Sequence, residues 1–352
     1  MKKLIFILFI FQLCVVQAQN VLIVDNTPGA PTGSHIYSTV ANAIAASVEG
    51  DVIHIMPSGV SYGSITIPAG KNGITVYGGG VNPDKETLVR SVVEVFTVNG
   101  NNIKVGGLVV NNEFRISWNA TNVLNVTVEN MQFNNHVYAS YNTNSDGILF
   151  RNCLFGFLAV TTNISNNVVF SNCIFAYPGN DPTGQVYAEN GTIISNCLFY
   201  GNGTSRFGFF SLNNSIVTNS IFYGRSPLAT SSSSNSTFNN CYAQQTHNND
   251  EFPSGSGTNT LNNIVPYTGK HWLQDSTIAI GLGWNMDRDV TLNPNFTTLI
   301  NGGNDGSDIG LTGGTIPFNK TATSLPYVKS ILMPTIIRQG DQLNVSFDAK
   351  GN

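Results

Sequence analysis

The sequence predicts an all-β solenoid of parallel coils. Three observations predict it: a five-residue phrase that returns at near-constant spacing, an asparagine fixed within that phrase, and a composition poor in charge. The phrase reads RNCLF at 151–155, SNCIF at 171–175, SNCLF at 195–199, TNSIF at 218–222 and NNCYA at 239–243. Aligned on asparagine, the anchors are Asn130, Asn152, Asn172, Asn196, Asn219 and Asn240, with gaps of 22, 20, 24, 23 and 21 residues. Val128, Phe150, Phe170, Ile194, Val217 and Phe238 stand two positions before them; Phe133, Phe155, Phe175, Phe199, Phe222 and Ala243 stand three after. A period of this size built from short β segments is one coil, hydrogen-bonded to the next. Leucine-rich repeats share the period, but their leucine spacing and recurring helix are absent.

The anchor is the element that does not vary. Upstream, Gly107 and Gly78 take its place in IKVGGLVV and ITVYGGGV. Glycine and asparagine both tolerate the left-handed backbone region, so each anchor is a bend between two strands. Rungs stack about 4.8 Å apart, which predicts an asparagine ladder whose amides bond along the stack. The next position reads Met131, Cys153, Cys173, Cys197, Ser220 and Cys241. A metal needs convergent ligands, and a ladder offers a line. A disulfide between in-register strands needs distortion. Buried free thiols fit the methionine and serine found in the same column.

The elements follow in order. Residues 1–18 have two lysines, an apolar run and Val16-Gln17-Ala18, which reads as a secretory signal peptide cleaved after Ala18. Residues 19–50 are expected to form a strand and a capping helix. In that helix Ser38 or Thr39 is the N-cap, and Val40, Ala41, Ile44 and Ala45 share one face. Residues 51–314 form the coils, and 315–352 a C-terminal closing segment. Net charge is −4 and charged residues are 10% of the chain, with no basic stripe, so a nucleic-acid partner is excluded. After residue 18 no apolar run reaches the roughly 18 residues of a membrane span, so no membrane insertion is expected.

The stretch YSTVANAIAASVEGDVIHIMPSGVSYGSITIPAGKNGITVYGGG (37–80) resembles the start of right-handed parallel β-helix proteins of the pectin-lyase-like superfamily. There a short helix covers the first coil and a Gly-Asp turn follows. NDGSDIGLTGG (304–314) and the tail ending in LNVSFDAKGN resemble the closing part of secreted bacterial members of Bacteroidetes-like type. The resemblance implies the fold. It leaves function open among lyases, hydrolases, esterases, epimerases and non-enzymes.

Family motifs narrow the chemistry. Polygalacturonase-like members carry Asn-Thr-Asp, Asp-Asp, Gly-His-Gly and Arg-Ile-Lys; this chain has NTNSDG at 142–147 and RIS at 115–117. The hydrolase and methylesterase patterns fail. A lyase of alginate-lyase-like or chondroitinase-like type has only Lys104, Arg115, Glu129, Arg151 and Arg206 to draw on. The catalytic candidates are Glu129, Arg151 and Asp146; the alternative for Glu129 and Arg151 is a surface ion pair on adjacent rungs. His136, Tyr138 and Tyr141 are candidate carbohydrate contacts, as are Trp272 and Trp284 unless these two pin a long loop to the scaffold. Asn301, Asn304, Asp305 and Asp308 supply oxygens for calcium or shape a closing turn. No other cofactor is expected. Leu154, Ile174, Leu198, Ile221 and Tyr242 form an outward apolar strip, which a long loop or the 315–350 tail should cover, or else a protein partner. The expected function is a secreted β-helix that binds polysaccharide. A polysaccharide lyase and a surface protein that binds another protein are the alternatives.

Overall fold

The computed structural model describes residues 19–81, 89–118, 122–161, 165–176, 186–201, 207–224, 226–228, 233–244, 258–266, 271–274, 289–319, 327–332 and 346–350. The expected signal segment lies outside them. Three parallel sheets of 12, 9 and 8 strands run the length of a β-helix. One coil shows the path. Asn122–Glu129 lies in the 12-stranded sheet (sheet 1), Gln132–Phe133 in the 8-stranded sheet (sheet 2) and Val137–Tyr138 in the 9-stranded sheet (sheet 3); Asn144–Arg151 then re-enters sheet 1.

The anchors bend as their residue type dictates. Asn130, Asn152, Asn172, Asn196, Asn219 and Asn240 all have φ between 49 and 53°, and Gly107 has φ 66°. Register holds the column straight: Glu129, Arg151, Ser171, Ser195, Thr218 and Asn239 are successive partners just before them. Asn263 extends the column by one rung, at φ 49°. Gly78 is not left-handed; Gly80, at φ 99°, is the left-handed residue there. A second left-handed column, Gly73, Asn102, Asn125, Gly147, Asn167, Gly191, Asn214 and Asn235, bends the approach to sheet 1.

Inside the coils, side chains of one type stack rung upon rung. Phe155, Phe175, Phe199 and Phe222 lie 4.7, 4.7 and 4.6 Å apart, centroid to centroid, near the rise between strands. The four described cysteines are free and buried in the core, as the thiol reading requires. Burial pushes the Cys153 and Cys173 thiols well above their ordinary pKa and Cys241 to about 12. Thiolate chemistry at these three positions is thereby suppressed.

Helix α1, Val40–Ala46, is capped by Thr39, whose Oγ1 accepts from the Asn42 N–H at 3.3 Å. Its buried face is Val40, Ala43 and Ile44, which join the core of the first coil. Ala41 and Ala45, expected on that face, are exposed.

The outward strip on sheet 2 is covered by the chain itself. Trp272, Leu273, Leu292, Phe296, Leu299, Ile309 and Leu311 pack on Leu154, Ile174, Leu198, Ile221 and Tyr242 as a second apolar cluster. The covering residues fall within 271–274 and 289–318, so the long-loop expectation describes them better than the tail. Four of the six anchors, Asn172, Asn196, Asn219 and Asn240, bond to this roof and not along their own stack. Asn172 Nδ2 donates to Leu311 O and Gly313 O at 3.1 and 2.8 Å; Asn196 Nδ2 donates to Asp308 O at 3.1 Å. Asn219 exchanges bonds with Asn304 through its Nδ2 and Oδ1, and Asn240 Nδ2 donates to Gly302 O at 2.8 Å. Rung-to-rung amide bonds occur elsewhere, as in the second column, where Asn125 Nδ2 donates to Asn102 Oδ1 at 3.0 Å. Beyond the roof, Tyr327–Leu332 and Ser346–Lys350 pair antiparallel as a separate two-stranded sheet.

Candidate functional site: an aromatic face on sheet 3

Successive rungs of sheet 3 present Arg115, Tyr138, Val160 and Tyr187 in one register column. Alternation puts these side chains outside while Phe114, Val137, Ala159 and Val186 fill the core. Around the first two rungs the rings form a continuous array. Arg115 lies 3.7 Å from the Trp118 ring, and Trp118 stacks on Tyr141 at 3.9 Å. Tyr141 meets Tyr138 edge-on at 4.9 Å, Tyr138 lies parallel to His136 at 5.7 Å, and His136 meets Phe157 at 4.5 Å. Tyr141 is 39% exposed and the other rings are half-buried.

Backbone strain holds this array in place. Among the described residues, Ser117 is the only left-handed residue that is neither glycine nor asparagine, at φ 62°. That conformation costs a serine about 1–2 kcal/mol. It sits between Arg115 and Trp118 in the chain and turns the indole at the corner of the coil. Ser117 is fully buried, and its Oγ bonds to Thr143 O at 3.0 Å, to Thr143 Oγ1 and to Asn144 O at 3.1 Å. Ser140 Oγ reaches the same Thr143 carbonyl at 2.6 Å. One strained serine therefore ties the Trp118 corner to the loop that carries Tyr141. Residues held off their preferred backbone by dense bonding mark sites where position matters.

Charge surrounds the rings. Arg115 Nε donates to Glu113 Oε2 at 2.6 Å. Glu94 accepts from the amides of Asn111 and Asn112 at 3.2 and 3.1 Å. Burial pushes the His136 imidazole below its ordinary value, against the pull of Glu113. Burial also raises the Tyr138 hydroxyl, and Glu113 adds to this, so both groups are neutral at pH 7.

The second charged cluster lies on sheet 1. In the column Tyr77, Gly106, Glu129, the glycine leaves an empty rung that the Tyr77 ring crosses to donate to Glu129 Oε1 at 2.9 Å. Lys104 Nζ meets the same oxygen at 2.8 Å, and Arg151 pairs with Oε2. Burial pushes the Glu129 carboxyl up, but the bonds from Lys104 and Arg151 outweigh it and the net pKa is lowered. Glu129 is buried, with both oxygens engaged. Glu129 and Arg151 do pair across adjacent rungs, but Glu129 is buried and shares its charge with Lys104 and the Tyr77 hydroxyl as well.

The structure sets the catalytic candidates apart from the carbohydrate candidates. Glu129, Arg151 and Asp146 belong to sheet 1, with Asp146 Oδ1 held by Asn167 Nδ2 at 2.7 Å; Tyr138 belongs to sheet 3 and His136 stands just before its strand. Trp272 is corrected as a sugar contact: it is 0% exposed, packed in the roof, and pins that segment to the scaffold. Trp284 lies outside the described residues. The calcium candidates serve a turn. Asp305 Oδ1 accepts from Ser307 N and Oγ, Asp308 Oδ1 from Asn301 N, and Asp308 Oδ2 from Thr312 Oγ1. Trp118 was missed, although its place three residues after Arg115 is a visible signal.

Among solved structures the chain is similar to pectate lyase Pel9A, at 13% identity and a TM-score of 0.55, covering 84% of this chain and 96% of that one. An alginate lyase from Paenibacillus sp. str. FPU-7 overlaps at a TM-score of 0.40 and 14% identity, covering 70% of this chain and 99% of that one. The first likeness shows the fold, a right-handed parallel β-helix. No protein-family model and no curated protein matches the chain.

Proposed function

We propose that this is a secreted polysaccharide-binding β-helix whose contact surface is the outer face of sheet 3. The observation that carries the reading is the joined array of Arg115, Trp118, Tyr141, Tyr138 and His136, locked by the strained Ser117. A pyranose has an apolar C–H face and a hydroxyl rim. Aromatic faces take the first by dispersion and removal from water, and flanking amides and carboxylates take the second. The column of a solenoid is linear, as is a polysaccharide, so successive rungs can meet successive sugars. The similarity to polysaccharide-acting enzymes supports the ligand class.

The test is electrophoresis of the purified protein through gels containing soluble polysaccharides, with Trp118→Ala beside the wild type. The proposal expects at least one polymer to retard the wild type and the variant to lose about tenfold in affinity, near 1.4 kcal/mol. Equal retardation of both proteins by every polymer that binds would sink it. Incubation with the bound polymer, followed by ultraviolet absorbance of unsaturated ends, separates binding from lyase action.

A further inference from the structure

Resting on that reading, we infer that the sheet-3 face selects uncharged glycans and turns polyuronates away. A polyuronate brings one carboxylate on every sugar, so its binding face must supply unengaged cations. Among the described residues the ring array holds one guanidinium, Arg115, and it is engaged twice. Its edge is taken by Glu113 and its face by the Trp118 ring. Glu94 stands one rung away with no cation on it among the described residues; its two oxygens are held by Asn111 and Asn112. That polar network continues from Asn111 to Asn134 and Gln132 and meets Arg90 only at its far end. His136 adds no positive charge, because burial lowers its pKa. The paired cations Lys104 and Arg151 are gathered on Glu129 on sheet 1.

Among the described residues the local balance at the rings is therefore two carboxylates against one satisfied guanidinium. What the face does offer is uncharged: the Tyr138 hydroxyl and the remaining hydrogen-bonding capacity of the exposed Asn112 and Asn134, each of which spends one amide N–H on its neighbour. These groups match sugar hydroxyls and give a carboxylate no strong partner. The fold is shared with a pectate lyase, but the chemistry of this face points to a different charge class of ligand.

Polygalacturonate and its methyl-esterified form test this directly, because the backbone is the same and only the charge differs. Both are run in affinity gels with uncharged xylan and glucan, at low and high salt. The proteins are the wild type, Trp118→Ala and the double variant Glu94→Gln/Glu113→Gln. The expected result is Trp118-dependent retardation by an uncharged polymer, esterified pectin included. Polygalacturonate should bind at least about fivefold more weakly, the scale of a few exposed like-charge contacts. That deficit should shrink at high salt, which screens repulsion beyond roughly 10 Å, and in the double variant. Trp118-dependent binding of polygalacturonate as tight as that of the uncharged polymers would overturn this inference and leave the glycan-binding face standing. Trp118-independent binding of every polymer, or no binding at all, would overturn both.

Discussion

Sheets 2 and 3 are two outer faces of one solenoid, built on the same rungs, yet the described residues roof one and leave the other open. On sheet 2 the outward positions are Leu154, Ile174, Leu198, Ile221 and Tyr242, and residues within 271–274 and 289–318 supply an apolar roof over them. On sheet 3 the corresponding positions are Arg115, Tyr138, Val160 and Tyr187, with polar tips on most side chains. An aliphatic strip left in water costs about 25 cal/mol per Å², so the chain covers it. Amphipathic rings satisfy water at one edge while offering a face. The side chain chosen at a position the ladder leaves free decides whether a face is structural or displayed.

Breaking the roof should have the largest effect. Trp272→Ala empties a fully buried site, and the expected loss is about 3–5 kcal/mol, read as a shift in the urea midpoint. The same change at Trp118, half-buried on the open face, should cost less than half of that and should register in glycan affinity.

The anchors sharpen the comparison at the scale of single hydrogen bonds. Asn196→Ala forces alanine into a left-handed bend and removes two bonds to the roof. The expected cost is about 2–4 kcal/mol. Asn196→Gly keeps the bend and loses only the bonds, so about half of that cost should return. At Asn130 the amide oxygen has no hydrogen-bond partner among the described residues, and Asn130→Gly should be nearly neutral. Equal losses at Asn196→Gly and Asn130→Gly would show that the roof bonds contribute nothing.

The smallest effect concerns charge on sheet 1. The Glu129 carboxyl is held below its ordinary value of 4.5. Its stabilising contribution is therefore fully present above that pH and is lost as pH falls through the depressed folded value. Glu129→Gln should be less stable than the wild type at pH 7, and the gap should close in acid. Urea unfolding at pH 7 and near pH 3 checks it, and a gap that widens in acid would reverse the assignment.

The ladder was legible in the sequence because stacking enforces it. Each coil needs a left-handed bend and an inward phenylalanine in register, so Asn172 and Phe175 return as a phrase. The second left-handed column was not visible, because Gly147, Asn167 and Gly191 alternate residue type and sit in no common phrase. The direction of the anchor amides was hidden for another reason. Their partners lie as far as 141 residues downstream, in a segment without periodicity. The outward positions of sheet 3 are under no ladder constraint, so His136, Tyr138 and Tyr141 were grouped by closeness in the chain and by no recurring phrase. Trp118 escaped notice because the contacts that define it, to Arg115 and Tyr141, depend on the backbone conformation of Ser117. Trp272 shows the opposite case: a tryptophan in a broken repeat could be displayed or could pin a loop, and burial in the roof decides for the pin.

Side-chain footprinting tests the central claim most directly. The protein is exposed to hydroxyl radicals with and without a polysaccharide that retards it, and modification is read residue by residue. The account predicts protection of Tyr141, Tyr138, His136 and Trp118, with no change at Trp272 or Tyr242 in the roof. Protection confined to the outer face of sheet 1, around Ile193 and Ile216, with the sheet-3 rings unchanged, would contradict it.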